Sequence, residues 1–241
     1  MNKVWIITRR ELASFFDSLI AYVMIILFVG VSGAFTWFFI NPIFLIGQAN
    51  LGWFFNVAYI SLAIFIPAVT MKMIAEENRE GTIELLITKA VSDSQIIWGK
   101  FLACLILVAL ALISTLPYYI TLSQLGNVDD GGVIGGYFGL LLFSASYISL
   151  GLFASSITKN QIVAFLVAIL LEALFHLLFP VIGSQIGGSI GGVFSYLSMS
   201  THFDSISRGV VDSRDLIYFG SIIAAGLILA QVMLSKRNWQ S

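Results

Sequence analysis

The sequence predicts an all-α polytopic membrane protein, with six transmembrane helices, an N-terminal interfacial helix and a short cytoplasmic helix between spans two and three. Three observations predict it. Of 241 residues, 59% are hydrophobic and 10% are charged, where a soluble domain carries about 25% charged residues. Six apolar stretches reach the roughly 20 residues that a helix needs to cross about 30 Å of hydrocarbon. Lysine and arginine crowd into alternate loops, which orients the spans.

Residues 1–17 read as an amphipathic helix lying on the membrane. At about 100° per residue, Val4, Trp5, Thr8, Leu12, Phe15 and Phe16 share one arc, and Lys3, Arg10, Ser14 and Asp17 share the opposite one. The spans then run approximately from Ser18 to Ile40, Leu51 to Met71, Ile97 to Leu122, Val133 to Ile157, Gln161 to Pro180 and Leu216 to Leu234. The apolar run after Arg10 is too long for a signal-peptide core and has no small-residue cleavage site, so it is expected to remain as span one. Lys3, Arg9, Arg10, Lys72, Arg79, Lys89, Lys100, Lys159, Lys236 and Arg237 fall on one side, and only Arg208 and Arg214 on the other. Both termini are therefore expected in the cytoplasm. The spans take about half of the chain, so residues 1–241 read as one transmembrane domain without a soluble domain of ordinary size.

Composition also excludes functions. Twelve Lys plus Arg against thirteen Asp plus Glu give a net charge of -1, with no basic excess to hold nucleic acid. The single cysteine, Cys104, cannot form an internal disulfide, and no C-x-x-C or His/Cys cluster offers a structural zinc site.

The one cytoplasmic loop long enough to fold holds Glu76, Glu77, Arg79, Glu80, Glu84, Lys89, Asp93 and Lys100. Gly81 suits the left-handed residue that ends a helix descending from span two, and Thr82 suits the cap of a new short helix through Ile83, Glu84, Leu85, Leu86 and Ile87. Ser92-Asp93-Ser94-Gln95 fits a capping box opening span three. Leu85 and Leu86 beside an acidic rim suit docking into a groove on a partner protein.

Glu76-Glu77-Asn78-Arg79-Glu80-Gly81-Thr82-Ile83-Glu84-Leu85-Leu86, then Ser92-Asp93 and Gly99-Lys100-Phe101-Leu102-Ala103, resembles the coupling segment of type 2 ABC exporter permeases. Arg9-Arg10-Glu11-Leu12 before Phe15-Phe16-Asp17-Ser18 is similar to the start of that family, and Arg208-Gly209-Val210-Val211-Asp212-Ser213-Arg214-Asp215 to its sequence before the last span. The likeness covers essentially the whole chain, most closely the gliding-motility and nitrous-oxide-reductase maturation permeases. Ala90 and Leu19 stand where these proteins commonly have proline.

This resemblance implies a permease domain over the whole chain, in a bacterial inner membrane, with residues 76–93 as coupling segment and residues 181–215 as an external segment with re-entrant helices. It implies cytoplasmic ABC ATPase subunits as partners, a second permease that is a copy or a relative of this chain, an accessory external protein, and membrane lipid. Glu76, Glu77, Gly81, Thr82, Glu84, Leu85 and Leu86 would form the docking element, with mechanical roles. No cofactor is expected in this chain, and ATP would bind to the partner. No G-x-x-x-x-G-K-[ST] stretch occurs, since Gly99-Lys100 is followed by Phe101 and the glycine run from Gly183 to Gly192 has no lysine.

Glu172 lies midway along span five with His176 one turn on. An ionisable group in the membrane costs at least ~2.5 kcal/mol on insertion scales unless paired, so the pair is expected inside the protein. It would either mark the translocation path or the permease interface, or fasten span five by a bond to His176, Gln161 or a neighbouring hydroxyl. Pro67 and Pro117 are expected to kink spans two and three. An ion-driven carrier or channel would use Glu172 as its ion site. An intramembrane hydrolase would need Glu76-Glu77 and Glu172-His176 to converge, yet they fall on opposite sides, and no H-E-x-x-H or G-x-S-x-G is present.

Overall fold

A computed structural model of the protein describes residues 3–39, 50–81 and 91–237. Helix α1 (Lys3–Asp17) precedes α2 (Ile20–Trp37), α3 (Gly52–Thr70) and the short α4 (Ala75–Glu80). Then follow α5 (Asp93–Ile113), α6 (Leu116–Leu125), α7 (Asp130–Ser156) and α8 (Gln161–Ala173). A π-helical turn, Leu174–Leu178, leads to α9 (Phe179–Ile186), α10 (Gly188–Tyr196), α11 (Met199–Ser207) and α12 (Ser213–Arg237). Six helical segments are long and apolar enough to cross a membrane: Ile20–Trp37, Gly52–Glu80, Asp93–Leu125, Asp130–Ser156, Gln161–Ile186 and Ser213–Lys236. The short helix expected after Thr82 lies outside the described residues.

Span four, α7, is the hub. It packs against α3, α5, α8, α11 and α12, and small residues along it allow the approach. A β-carbon on Gly151 would overlap the Thr70 hydroxyl of α3, and one on Gly136 the Phe55 ring. From the other side, a β-carbon on Gly226 of α12 would lie 2.6 Å from Ser149 Oγ. Close helix approach through small residues is how membrane helices associate where lipid is as apolar as their side chains.

Two spans are interrupted close to a proline, and side chains repair the breaks. Span two stops being helical after Thr70 and resumes at Ala75. Ser155 Oγ of α7 accepts from Ile74 N and Ala75 N, each at 3.0 Å, and donates to Met71 O at 3.0 Å. Pro67 thus precedes a short non-helical stretch rather than a simple kink. Pro117 sits in the first turn of α6, where a missing N–H costs little. Thr115 Oγ1 donates to Leu112 O at 2.6 Å there and meets Tyr137 Oη of α7 at 3.0 Å.

Helix α1 lies along α5. Its buried residues are Ile7, Thr8 and Phe15, whereas Trp5 is exposed, so the packed stripe is rotated from the arc expected from periodicity. Gly99 supplies the reason. A β-carbon there would lie 2.6 Å from Ile7 Cγ2, and Thr8 Oγ1 donates to Gly99 O at 3.1 Å. Protein contact, not lipid, selects the inner face. Exposed Trp5 and Trp98 share this end of the bundle and exposed Trp53 opens α3 at the other, as interfacial aromatic belts require.

Leu19 adopts φ 61 between α1 and α2, a conformation proline cannot reach. Gly183 to Gly192 forms two short helices. Gly187 and Gly188, at φ 63 and 62, reverse the chain, and Gly183 and Gly191 let α9 and α10 meet backbone to backbone.

Gly151→Val should force α3 away from α7 at an overpacking cost of about 1–3 kcal/mol. Gly30→Val, where nothing lies within 4 Å, should stay within about 0.5 kcal/mol of the parent. Thermal unfolding of the two variants in detergent checks the contrast.

Candidate functional site

The loop between spans two and three is anchored at two defined helix ends. Gly81 terminates α4 at φ 71, the left-handed residue that its position predicts. Ser92 caps α5 by accepting from Gln95 N, while Gln95 Oε1 accepts from Ser92 N, which is the expected capping box. Thr82, Glu84, Leu85 and Leu86 lie outside the described residues.

Between these ends sits a charge cluster. Lys100, eight positions into α5, is only 1% exposed. Its Nζ lies 2.9 Å from Glu77 Oε1 of α4 and 3.3 Å from Glu11 Oε1 of α1. Arg10 pairs with Glu11 and reaches Glu77 Oε1 at 3.2 Å. Two cations and two carboxylates from three elements thus balance, the condition under which a buried charge is tolerated. Burial pushes the Glu11 carboxyl up, but Lys100 and Arg10 more than offset it and hold it below its usual range.

Of the residues expected to dock a partner, Glu77 turns inward and shares this internal cluster, whereas Glu76 keeps to the surface with Arg79 at 3.9 Å. Such exposed pairs contribute about 0–1 kcal/mol. Lys100 counted in the sequence only toward loop charge. A lysine directly before the apolar run Phe101-Leu102-Ala103 was the available signal that it needs an internal partner.

Glu172 and His176 lie together inside the bundle and are both buried. They are not bonded to one another, because neither carboxylate oxygen of Glu172 nor His176 Nδ1 has a hydrogen-bond partner among the described residues. The expected fastening to His176 or Gln161 is therefore absent. The helix changes to the π form at Leu174–Leu178, so the simple i, i+4 spacing is not kept. His176 instead packs its ring 4.7 Å from Tyr59 and 5.5 Å from Phe143.

The segment between spans five and six holds a second histidine in a built site. His202 Nδ1 lies 2.6 Å from Asp215 Oδ1, and its Nε2 2.8 Å from Tyr196 O. The Tyr218 ring stacks on it at 3.9 Å, and Tyr218 Oη donates to Leu197 O at 2.6 Å. Asp215 closes the stretch Arg208 to Asp215, so that stretch ties α10 and α11 to the start of span six. A cavity of about 890 Å³ opens beside it, lined by Asn56, Asn127, Asp129, Phe203, Asp204 and Arg208 among others.

Lys100→Met strands two carboxylates and should cost about 3–5 kcal/mol, whereas Arg10→Ala, at a half-exposed site, should cost about 1 kcal/mol or less. Glu11 has its folded pKa below the ordinary 4.5. Its contribution is therefore full above that pH and lost as pH falls through the lower folded value. Glu11→Gln should be less stable than the parent at neutral pH, and the gap should close in acid below pH 4.5. Thermal unfolding across pH measures both.

Residues 40–205 match the family model described as ABC-2 family transporter protein. No curated protein matches the sequence. The matched stretch is more than half of the chain and carries Glu77, Lys100, Glu172, His176 and His202. With six helices fit to cross a membrane, this chain is a multi-pass membrane protein that belongs to the ABC-2 transporter family, as an ABC transporter permease.

Proposed function

We propose that this permease is one half of an ABC exporter in a bacterial inner membrane, with both termini cytoplasmic. Two permeases of six spans each, either two copies or this chain with a relative, would pair to form the translocation path. Separate cytoplasmic ATPase subunits would dock under residues 76–93 and drive it, and an accessory external protein would meet residues 181–215. The Glu76–Leu86 and Arg208–Asp215 stretches keep the gliding-motility and nitrous-oxide-reductase maturation branches as the nearest functional kin.

The buried charge cluster carries the proposal. Helix α4 leads directly into the coupling segment, and Glu77 on it is joined through Lys100 to α5 and through Arg10 to α1. A push on that segment reaches span three and the interfacial helix together, because separating any member would leave a buried charge unpaired. Glu76, Gly81, Thr82, Glu84, Leu85 and Leu86 would meet the ATPase, while Glu77 passes the displacement inward. The Ser155 bridge between α7 and the break below α3 extends the rigid connection to span four.

Membrane-impermeant maleimide applied from outside, on a Cys104→Ser background, should label Asn127→Cys and spare Thr88→Cys. The reverse pattern would invert the orientation. The coupling assignment is tested by Glu84→Lys with Leu85→Asp, where each buried mismatch costs a few kcal/mol, about 2–5 for a truncated charge pair. The permease should still insert, its ATPase should no longer co-purify, and transport should stop. Normal partner stoichiometry with this double variant would overturn docking through Glu76 to Leu86.

A further inference from the structure

We infer that Glu172 is the anionic half of an internal site for a monovalent cation, a proton or an alkali ion, bound beside Tyr147 and His176. Glu172 is 2% exposed, and both of its carboxylate oxygens lack a hydrogen-bond partner. Tyr147 Oη and His176 Nδ1 lack one as well. Nearly all buried polar atoms in folded proteins are paired, so neighbouring unpaired ones on α7, α8 and the π turn indicate a missing ligand. Glu172 lies within electrostatic reach of Tyr147, whose ring is 4.4 Å from that of Phe143, itself 5.5 Å from His176.

Among the described residues no lysine or arginine bonds to either carboxylate oxygen of Glu172, and Lys100 is already committed to Glu11 and Glu77. The contrast between the two buried charges is the core of the inference, since Lys100 has two carboxylates and Glu172 has no counter-ion.

The surroundings select the ligand. Carboxylate and phenol oxygens with an imidazole nitrogen are electron-pair donors, and the rings of Tyr59, Phe143 and Phe203 form the adjoining wall. Aromatic faces and a carboxylate attract cations and repel anions. One positive charge makes the site neutral, whereas a divalent ion would leave a net charge buried at membrane depth. The π turn holding His176 is a helix irregularity that frequently marks functional sites.

A cavity of about 890 Å³ lies on the far side of this aromatic wall. Phe203 lines it and also contacts Tyr59 at 5.7 Å and Phe143 at 5.8 Å. Asp204, also in that lining, acts electrostatically on Tyr59, and Tyr59 packs 4.7 Å from His176. The titratable groups facing the site are Tyr147 on α7, Tyr59 on α3 and His176 on the π turn, with Asp204 on α11 and Tyr218 on α12 acting through Tyr59 and Tyr147.

The test is thermal unfolding of the full chain in lipid nanodiscs, from pH 5 to 9, in sodium, potassium or choline chloride at constant ionic strength. A bound cation raises the midpoint by mass action, by about 3–5 °C for each tenfold rise in its activity above the dissociation constant. A response to pH that is the same in all three salts identifies the proton, and one to sodium or potassium over choline at fixed pH identifies an alkali ion. The alkali-ion response should vanish in Glu172→Gln, and a proton response should shrink there to what the remaining titratable groups contribute. An unresponsive parent, or a Glu172→Gln variant that responds as the parent does, overturns the site. Should Glu172→Gln fail to fold, Tyr147→Phe decides. A cation response moved to at least threefold higher cation activity supports the site, and an unmoved response overturns it.

Discussion

Hydrocarbon offers no partner for a backbone N–H or C=O, and each departure from continuous helix described above is organised around that constraint. Where span two opens below Thr70, one hydroxyl, Ser155 Oγ, accepts from two N–H groups and donates to a carbonyl. Where span three opens, Thr115 takes the Leu112 carbonyl and meets Tyr137. Where span five departs from α-geometry, the Phe179 N–H returns to Leu174 O, so the chain stays bonded to itself. The partners for the first two breaks come from α7, which explains why that helix is both the most enclosed span and rich in hydroxyl residues.

Close approach follows from the same arrangement. A serine can repair a neighbour's backbone only if the helices nearly touch, and Gly136, Gly151 and Gly226 provide that distance against Phe55, Thr70 and Ser149. Small and hydroxyl residues on α7 therefore act together, the first setting the spacing and the second using it. On α2 the demand is local, since Gly33 admits the Tyr118 hydroxyl closely while Gly30 faces open space.

Charge is handled in two opposite ways. At the start of α5 Lys100 is enclosed by carboxylates from α1 and α4, and the resulting neutral cluster joins three elements. Deeper in the bundle, Glu172 is equally enclosed and has aromatic neighbours in place of ions. The first arrangement is rigid by construction, while the second stays open to a charge from outside the chain. Before span six, His202 and Asp215 form a third pair, in which stacking on Tyr218 fixes the ring that joins α11 to that span.

The sequence by itself determined the membrane class, the number of spans and the local punctuation. Length, hydropathy and capping chemistry act over neighbouring residues, so Gly81 at the end of α4 and the Ser92–Gln95 box at the start of α5 were legible without a structure. The seven-residue docking element rests on likeness to a family, and four of its members lie outside the described residues. Only the tertiary structure decided the partners of charges far apart in sequence. It placed Glu77 and Glu11 on Lys100, paired His202 with Asp215, turned Ile7 rather than Trp5 inward, and left Glu172 unbonded to His176. Periodicity gives the angle of a side chain about its own helix. Which neighbour fills that angle depends on where another helix has no β-carbon, and one helix alone carries no record of it.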